Sequence, residues 1–180
     1  METIVKNRLS KHLEENKLIT PNQSGFRQHR STIDQVIRLY NDIQTAKHQH
    51  KQIASIFIDF EKAFDLLWTD GLLYKLKTFG ITGNIFVWIS NFLKNRTLRV
   101  KIGSTTSEVY SFENGTPQGS VISPLLFNIM VNDLGNKLQT CTNISQFADD
   151  SAVSTSNKNI KKIEDTLQKD IDNIVAWTIT

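Results

Sequence analysis

The sequence predicts an α+β domain. Segments with helical spacing and segments with strand spacing follow one another in the order α-α-β-α-α-β-β-α-β-β-α, which is neither a doubly wound sheet nor a sandwich. At 180 residues, with 39% hydrophobic and 22% charged residues, the chain is long enough for one domain with a real core and is not disordered. It carries no internal repeat, low-complexity tract or linker.

The bulk numbers exclude some classes. A single cysteine, Cys141, rules out an internal disulfide and a cysteine zinc site, and suits a reducing, intracellular setting. No apolar run is long enough to span a bilayer, and the opening Met1–Lys6 has no signal-peptide core, so no membrane contact is expected. A net charge of +3 permits contact with nucleic acid without demonstrating it.

Residues 1–15 place Val5, Leu9 and Leu13 at four-residue steps among Lys and Glu, predicting a surface helix with one buried stripe. Pro21, Asn22, Ser24 and Gly25 predict a loop. Ser31-Thr32 then offer caps for a second helix, with Ile33, Val36, Ile37 and Tyr40 on one face, running to about Ala46. The apolar run 53–58 has no period of its own and reads as a strand covered on both faces. From Glu61 to about Phe79, Phe64, Leu67, Trp68, Leu72 and Leu76 recur at helical spacing, with Gly71 against the pattern and Gly80 placed to stop it. Ile85, Trp88, Ile89 and Phe92 predict a fourth helix. Residues 98–102 and 108–112 alternate as a hairpin around Gly103-Ser104. Ser123-Pro124 suits a cap with proline at the first helical position, opening a helix through Leu134. A strand pair around Asp149 and a last helix carrying Ile160, Ile163, Leu167, Ile171 and Ile174 complete the chain.

Chemistry concentrates in three places. Asp149-Asp150 sit between two strand-like runs, where adjacent acids cannot both be buried without a cation. Asp59 stands at the exit of the 53–58 strand. Between them lies Asn114-Gly115-Thr116-Pro117-Gln118-Gly119-Ser120, a rigid turn whose glycines let backbone approach a ligand closely. Two divalent cations about 3.5–4 Å apart can neutralise the attacking and leaving oxygens of a nucleotidyl transfer. Mg²⁺ is held by few protein carboxylates plus phosphate and water, so Asp59, Asp149 and Asp150 meet the minimal ligand set. Blander readings stand beside this one: Asp59 as a helix cap, Ala148–Ser151 as an ordinary hairpin turn, and the Pro-Gln-Gly segment as a plain lead-in to a capped helix. The basic stretch Lys47, His48, His50, Lys51 and the cluster Lys94, Arg96, Arg99, Lys101 read as surface. Trp68, Trp88 and Trp177 read as core or interface.

These residues also carry a resemblance. Phe147-Ala148-Asp149-Asp150 resembles the Phe/Tyr-Ala-Asp-Asp motif of reverse transcriptases, and Ile56-Phe57-Ile58-Asp59-Phe60-Glu61-Lys62-Ala63-Phe64-Asp65 resembles the preceding acidic motif of the non-LTR retrotransposon class. Thr116–Ser120 with Ser123–Ile129 is similar to its third motif, and Gln23-Ser24-Gly25-Phe26-Arg27 with Arg30-Ser31-Thr32 to a fingers motif. Four motifs in order span most of the chain, with wording nearest the jockey-type elements. The resemblance implies a polymerase palm, an antiparallel sheet backed by helices with the acids on one face. It places partial fingers at 1–50 and palm at 51–180. It further implies that Asp59, Asp149 and Asp150 bind two Mg²⁺ ions, or Mn²⁺ in their place, helped by the Phe60 carbonyl. Phe64 would exclude ribonucleotides at the sugar 2′ position. Gln118 and Gly119 would contact the incoming dNTP, and Arg27 would lie near template or nucleotide. Asp65 is expected to make a structural hydrogen bond. RNA template, DNA primer and dNTPs are the implied partners.

Set against that class, the sequence is expected to lack an upstream fingers segment, a lysine-bearing palm segment, a thumb and an endonuclease, which the rest of a retrotransposon polyprotein would supply. Two other readings remain: a catalytically silent or domesticated fold that binds nucleic acid or a partner, and a group II intron maturase-like protein.

Overall fold

A computed structural model describes residues 1–179. In chain order the elements are α1 (Glu2–Glu15), α2 (Thr32–His48), β1 (Gln52–Ile58), α3 (Thr69–Thr78), α4 (Gly83–Leu93), β2 (Arg96–Leu98), β3 (Lys101–Ile102), β4 (Thr105–Thr106), β5 (Tyr110–Phe112), α5 (Ser123–Met130), a 3₁₀ segment Val131–Lys137, β6 (Thr142–Phe147), β7 (Asp150–Asn157) and α6 (Ile160–Ile179). The chain forms two compact units, one from Met1–Leu18 and Lys62–Met130, the other from Ile19–Glu61 and residue 131 onward. Each therefore draws on residues from both sides of position 50.

The second unit is built on an antiparallel sheet in the order β1-β7-β6. Its register pairs Ile56 with Val153 and Val153 with Ile144, so these three side chains share one face. That face is the core: Ile144 and Val153 are buried with Leu134 and with Ile163, Leu167 and Ile174 of α6, and Ala54, Ile56, Ile58, Phe60 and Trp177 pack at its margin. Of the predicted stripe on the last helix, Ile163, Leu167 and Ile174 are buried, Ile171 is half-buried and Ile160 is exposed. Asp170, 1% exposed in the middle of α6, accepts hydrogen bonds from the Gln139 N–H at 2.7 Å and the Thr142 hydroxyl, which meets the requirement that a buried carboxylate be hydrogen-bonded.

The other face of the sheet departs from expectation. β1 was expected to be covered on both sides, but Phe57, which points away from the core, is 74% exposed. α2 forms where its cap predicts, with the Ser31 N–H donating to Asp34 Oδ2 at 2.6 Å. Its apolar residues Ile33, Val36, Ile37 and Tyr40 are all exposed. The helix is turned by its polar side instead. Arg38 donates to Asn22 Oδ1 and the Pro21 carbonyl, Gln35 donates to Ser24 Oγ, and Asp42 accepts from the Ser154 hydroxyl.

In the first unit α1 buries Val5, Leu9 and Leu13 as predicted, and Leu72, Leu76, Ile89, Leu93, Leu126 and Ile129 complete the core. Three boundaries differ from expectation. The helix expected from Glu61 begins only at Thr69, because the carbonyls of Phe64 and Leu67 accept hydrogen bonds from the Thr116 and Gly115 N–H groups, both at 2.8 Å, instead of closing helical turns. Gly71 fits there because the Trp68 ring lies against it, where a Cβ would come within 2.1 Å. The hairpin pairs as two short ladders, β2 with β5 and β3 with β4. The Val100 N–H bonds the Ser107 hydroxyl at 2.9 Å, and this side-chain acceptor interrupts the ladder. The helix expected through Leu134 stops at Met130, whose carbonyl accepts from Lys75 Nζ. Ser123 is its first residue rather than its cap, the hydroxyl donating to the Pro117 carbonyl at 2.9 Å.

Candidate active site

Asp59 follows directly on β1, whose last pair is Ile58 with Ser151. One more step in that register sets Asp59 opposite Asp150, on the face that carries Phe57, Ala152 and Ser145 rather than on the core face. Asp59 and Asp150 both line a cleft of 340 Å³, with Gln35, Val36, Phe57 and Phe147 among its walls. Asp149 occupies the two-residue turn between Phe147 and Asp150 and is half-buried, while Asp59 and Asp150 are exposed. The structure therefore brings two of the three predicted acids to one cleft, with the third at the adjoining turn.

None of the three carboxylates has a hydrogen-bond or ion-pair partner among the described residues. Nor, among those residues, are three or more His, Cys, Asp or Glu side chains gathered as a ready-made metal cage. An all-oxygen set of unpaired short carboxylates fits Mg²⁺ held by a few protein ligands and completed by phosphate and water. The ring of Phe60, which follows Asp59, meets Trp177 edge-on with centroids 6.3 Å apart, and Trp177 in turn donates to Asp133. That packing pins the backbone just beyond the acid.

The turn bearing Asp149 is braced from outside the hairpin. Ala148 has φ of 58°, a left-handed conformation that costs an L-residue about 1–2 kcal/mol. Its N–H donates to Gln23 Oε1 at 2.9 Å, and its carbonyl accepts from Gln23 Nε2 at 3.0 Å. The same Oε1 accepts from the Gly25 N–H at 2.8 Å, and Gln23 is fully buried. On either side of that clasp, the Ser24 N–H donates to the Gln146 carbonyl and the Gln146 N–H to the Asn22 carbonyl, each at 2.9 Å. Arg27, expected near template or nucleotide, has its guanidinium on the Thr20 and Gln23 carbonyls at 2.8 and 3.0 Å. Sequence reasoning singled out this motif but gave Gln23 no role. The only signal available was the position of a glutamine two residues before Gly25.

The remaining predicted residues lie in the first unit. Phe64 is half-buried and packs on Phe127 with ring centroids 5.0 Å apart. Gln118 Nε2 donates to Asp65 Oδ1 at 3.0 Å, so Asp65 has the structural bond expected of it. Gly115 has φ of 89°, and a Cβ there would come within 2.4 Å of the Asp65 carbonyl oxygen, so both conformation and space demand glycine. Gly119 also has positive φ but faces open space and is exposed, as is Gln118. His48, His50, Arg99 and Lys101 are exposed, as the surface reading expects, while Lys94 pairs with Asp70 at 2.9 Å.

With acids, turn and Pro-Gln-Gly segment placed, comparison with known proteins decides the family. The reverse transcriptase (RNA-dependent DNA polymerase) family matches residues 1–179. The chain belongs to that family. Among curated relatives it is 32% identical to the RNA-directed DNA polymerase from mobile element jockey of Drosophila funebris and 30% identical to the probable RNA-directed DNA polymerase from transposon BS of Drosophila melanogaster, over 99% and 98% of this chain. This is a jockey-like, non-LTR reverse transcriptase domain, and it spans 20% of the length of each of those relatives. Among solved structures, telomerase from Candida albicans in complex with a fragment of telomeric RNA superposes with a TM-score of 0.72 at 13% identity, over 94% of this chain and 32% of that one. That likeness bears on fold alone, and the fold is an α+β polymerase palm.

Proposed function

We propose that this reverse transcriptase chain carries the metal-binding and nucleotidyl-transfer part of a mobile element's RNA-directed DNA polymerase, adding dNTPs to a primer 3′ hydroxyl on an RNA template. The observation that carries the reading is the in-register placement of Asp59 and Asp150 at one cleft, with neither carboxylate neutralised by a cationic side chain. Asp59, Asp149 and Asp150 would hold two Mg²⁺ ions, with the Phe60 carbonyl as a further oxygen. When bound, the ions would offset charge on the attacking and leaving oxygens. The protein's own contribution is positioning: short carboxylates on a strand end and a braced turn move little and need no reorganisation during reaction.

The remaining assignments rest on the family's motifs residue by residue: Gln118 and Gly119 toward the dNTP, Phe64 toward the sugar 2′ position, Arg27 toward template or nucleotide. The exposure of Gln118 and Gly119 supports access to a ligand. Phe64 packs on Phe127 and is only half-buried, and that partial exposure supports a second contact with a sugar. We read residues 1–50 as fingers and 51–180 as palm, with thumb and further segments of the polyprotein needed for a complete polymerase.

Primer extension on poly(rA)/oligo(dT) with Mg²⁺ tests the reading, comparing the chain, its Asp149→Ala variant and a longer chain carrying the flanking polymerase segments. Extension by the longer chain that is abolished by Asp149→Ala supports nucleotidyl transfer at this site. Extension by the short chain alone shows that nothing further is required. Absence of extension in both favours a fold that binds nucleic acid without polymerising.

A further inference from the structure

We propose that Gln23 is a positioning residue for the metal site, its side-chain amide setting the conformation of the turn that presents Asp149 and Asp150. This rests on the reading of those acids as metal ligands. Both backbone polar groups of Ala148 are satisfied by one side chain, with the Gln23 amide accepting at 2.9 Å and donating at 3.0 Å. A primary amide is the side chain that can do both at once, because its oxygen accepts while its nitrogen donates in the same plane. The partner residue has φ of 58° without being glycine, the left-handed conformation that a two-residue hairpin turn demands at this position, so the two bonds hold a strained residue in place.

Gln23 is itself held. It is fully buried, its carbonyl accepts from Arg27, and its Oε1 also accepts from the Gly25 N–H. Gly25 lies so close that a Cβ would come within 2.2 Å of the Ala148 nitrogen. The rigid path therefore runs from the 20–27 loop through one amide to the residue immediately before the two acids. Partners hydrogen-bonded to a metal ligand typically change metal affinity about 10–100-fold when lost, and Gln23, acting one residue further out through the Ala148 backbone, is expected at the low end of that range.

The test uses Mn²⁺ as the probe, titrated by water-proton relaxation into the whole chain, with hydrogen exchange at the Ala148 amide read by NMR and thermal unfolding recorded for every variant. Gln23→Met keeps side-chain length and removes all three bonds. It is expected to stay folded, weaken Mn²⁺ binding by about tenfold and sharply speed exchange at Ala148. Gln23→Glu keeps the two accepted bonds and loses the donated one, and is expected to fall between; it carries the comparison if Gln23→Met does not fold. Asp150→Asn is the control for the site. A folded Gln23 variant with native Mn²⁺ affinity overturns the inference, whatever its Ala148 exchange. If the unmodified chain shows no Mn²⁺ binding that Asp150→Asn removes, the metal reading of the acids fails and the proposed metal-positioning role falls with it. Ala148 exchange would still show whether the clasp holds the turn.

Discussion

Two turns in this molecule share a backbone conformation and reach it by opposite means. Gly103, at the tip of the hairpin made by β2 to β5, has φ of 59°, and Ala148, at the tip between β6 and β7, has φ of 58°. Around Gly103 there is open space, and the strands flanking it are two or three residues long and exposed. Around Ala148 everything is occupied: the residue is buried, both its backbone groups are bonded to Gln23, and Gly25 presses on its nitrogen. A glycine turn is cheap and loose. An alanine turn with the same φ costs more and is held by its surroundings.

The comparison is broken most severely by Gly25→Ala. The added Cβ meets backbone, which cannot swing aside as a flexible side chain would, and a loss of about 3 kcal/mol is expected in denaturant unfolding. A loss under about 0.5 kcal/mol, the size of an ordinary surface change, would show that the loop at 23–25 is not braced against the turn. Gly103→Ala comes next. It forces an L-residue into a left-handed position with nothing to compensate, and about 1 kcal/mol is expected from the same measurement. The smallest effect belongs to Ala148→Gly. Relief of the left-handed strain is offset by added chain entropy and a lost buried methyl, so stability should stay within about 0.5 kcal/mol. If this substitution instead stabilised the chain by more than Gly103→Ala destabilises it, the clasp would not be absorbing the strain.

The candidate residues stood out in the sequence because they form contiguous words. Asp59 at the end of an apolar run, the paired acids at 149–150 and the Pro-Gln-Gly turn each carry a local pattern. α1, α6 and the sheet strands were legible for a related reason, since Val5, Leu9 and Leu13, or Ile163, Leu167 and Ile174, are buried as their period demands. What was not legible depends on partners distant in sequence. The carbonyls of Phe64 and Leu67 look helical until Gly115 and Thr116 claim them. α2 has an apolar face by period, yet that face is exposed and the partners lie on the polar side, at Arg38, Gln35 and Asp42. Gln23 contacts Ala148 across 125 residues of sequence through side-chain atoms only, and no spacing rule announces such a bond.

The central position of β7 also has a bearing on how the chain matures. β6 and β7 are joined by a two-residue turn and can zip together locally, on the order of microseconds for a hairpin. β1 must then find β7 from nearly a hundred residues upstream, the kind of long-range closure that slows folding. Until that last strand docks, Asp59 is nowhere near Asp150, and a docking error of one residue would turn Asp59 to the opposite side of the sheet. A partly folded or misregistered chain therefore lacks the paired acids. The strand order thus decides whether Asp59 and Asp150 share one face of the sheet at all.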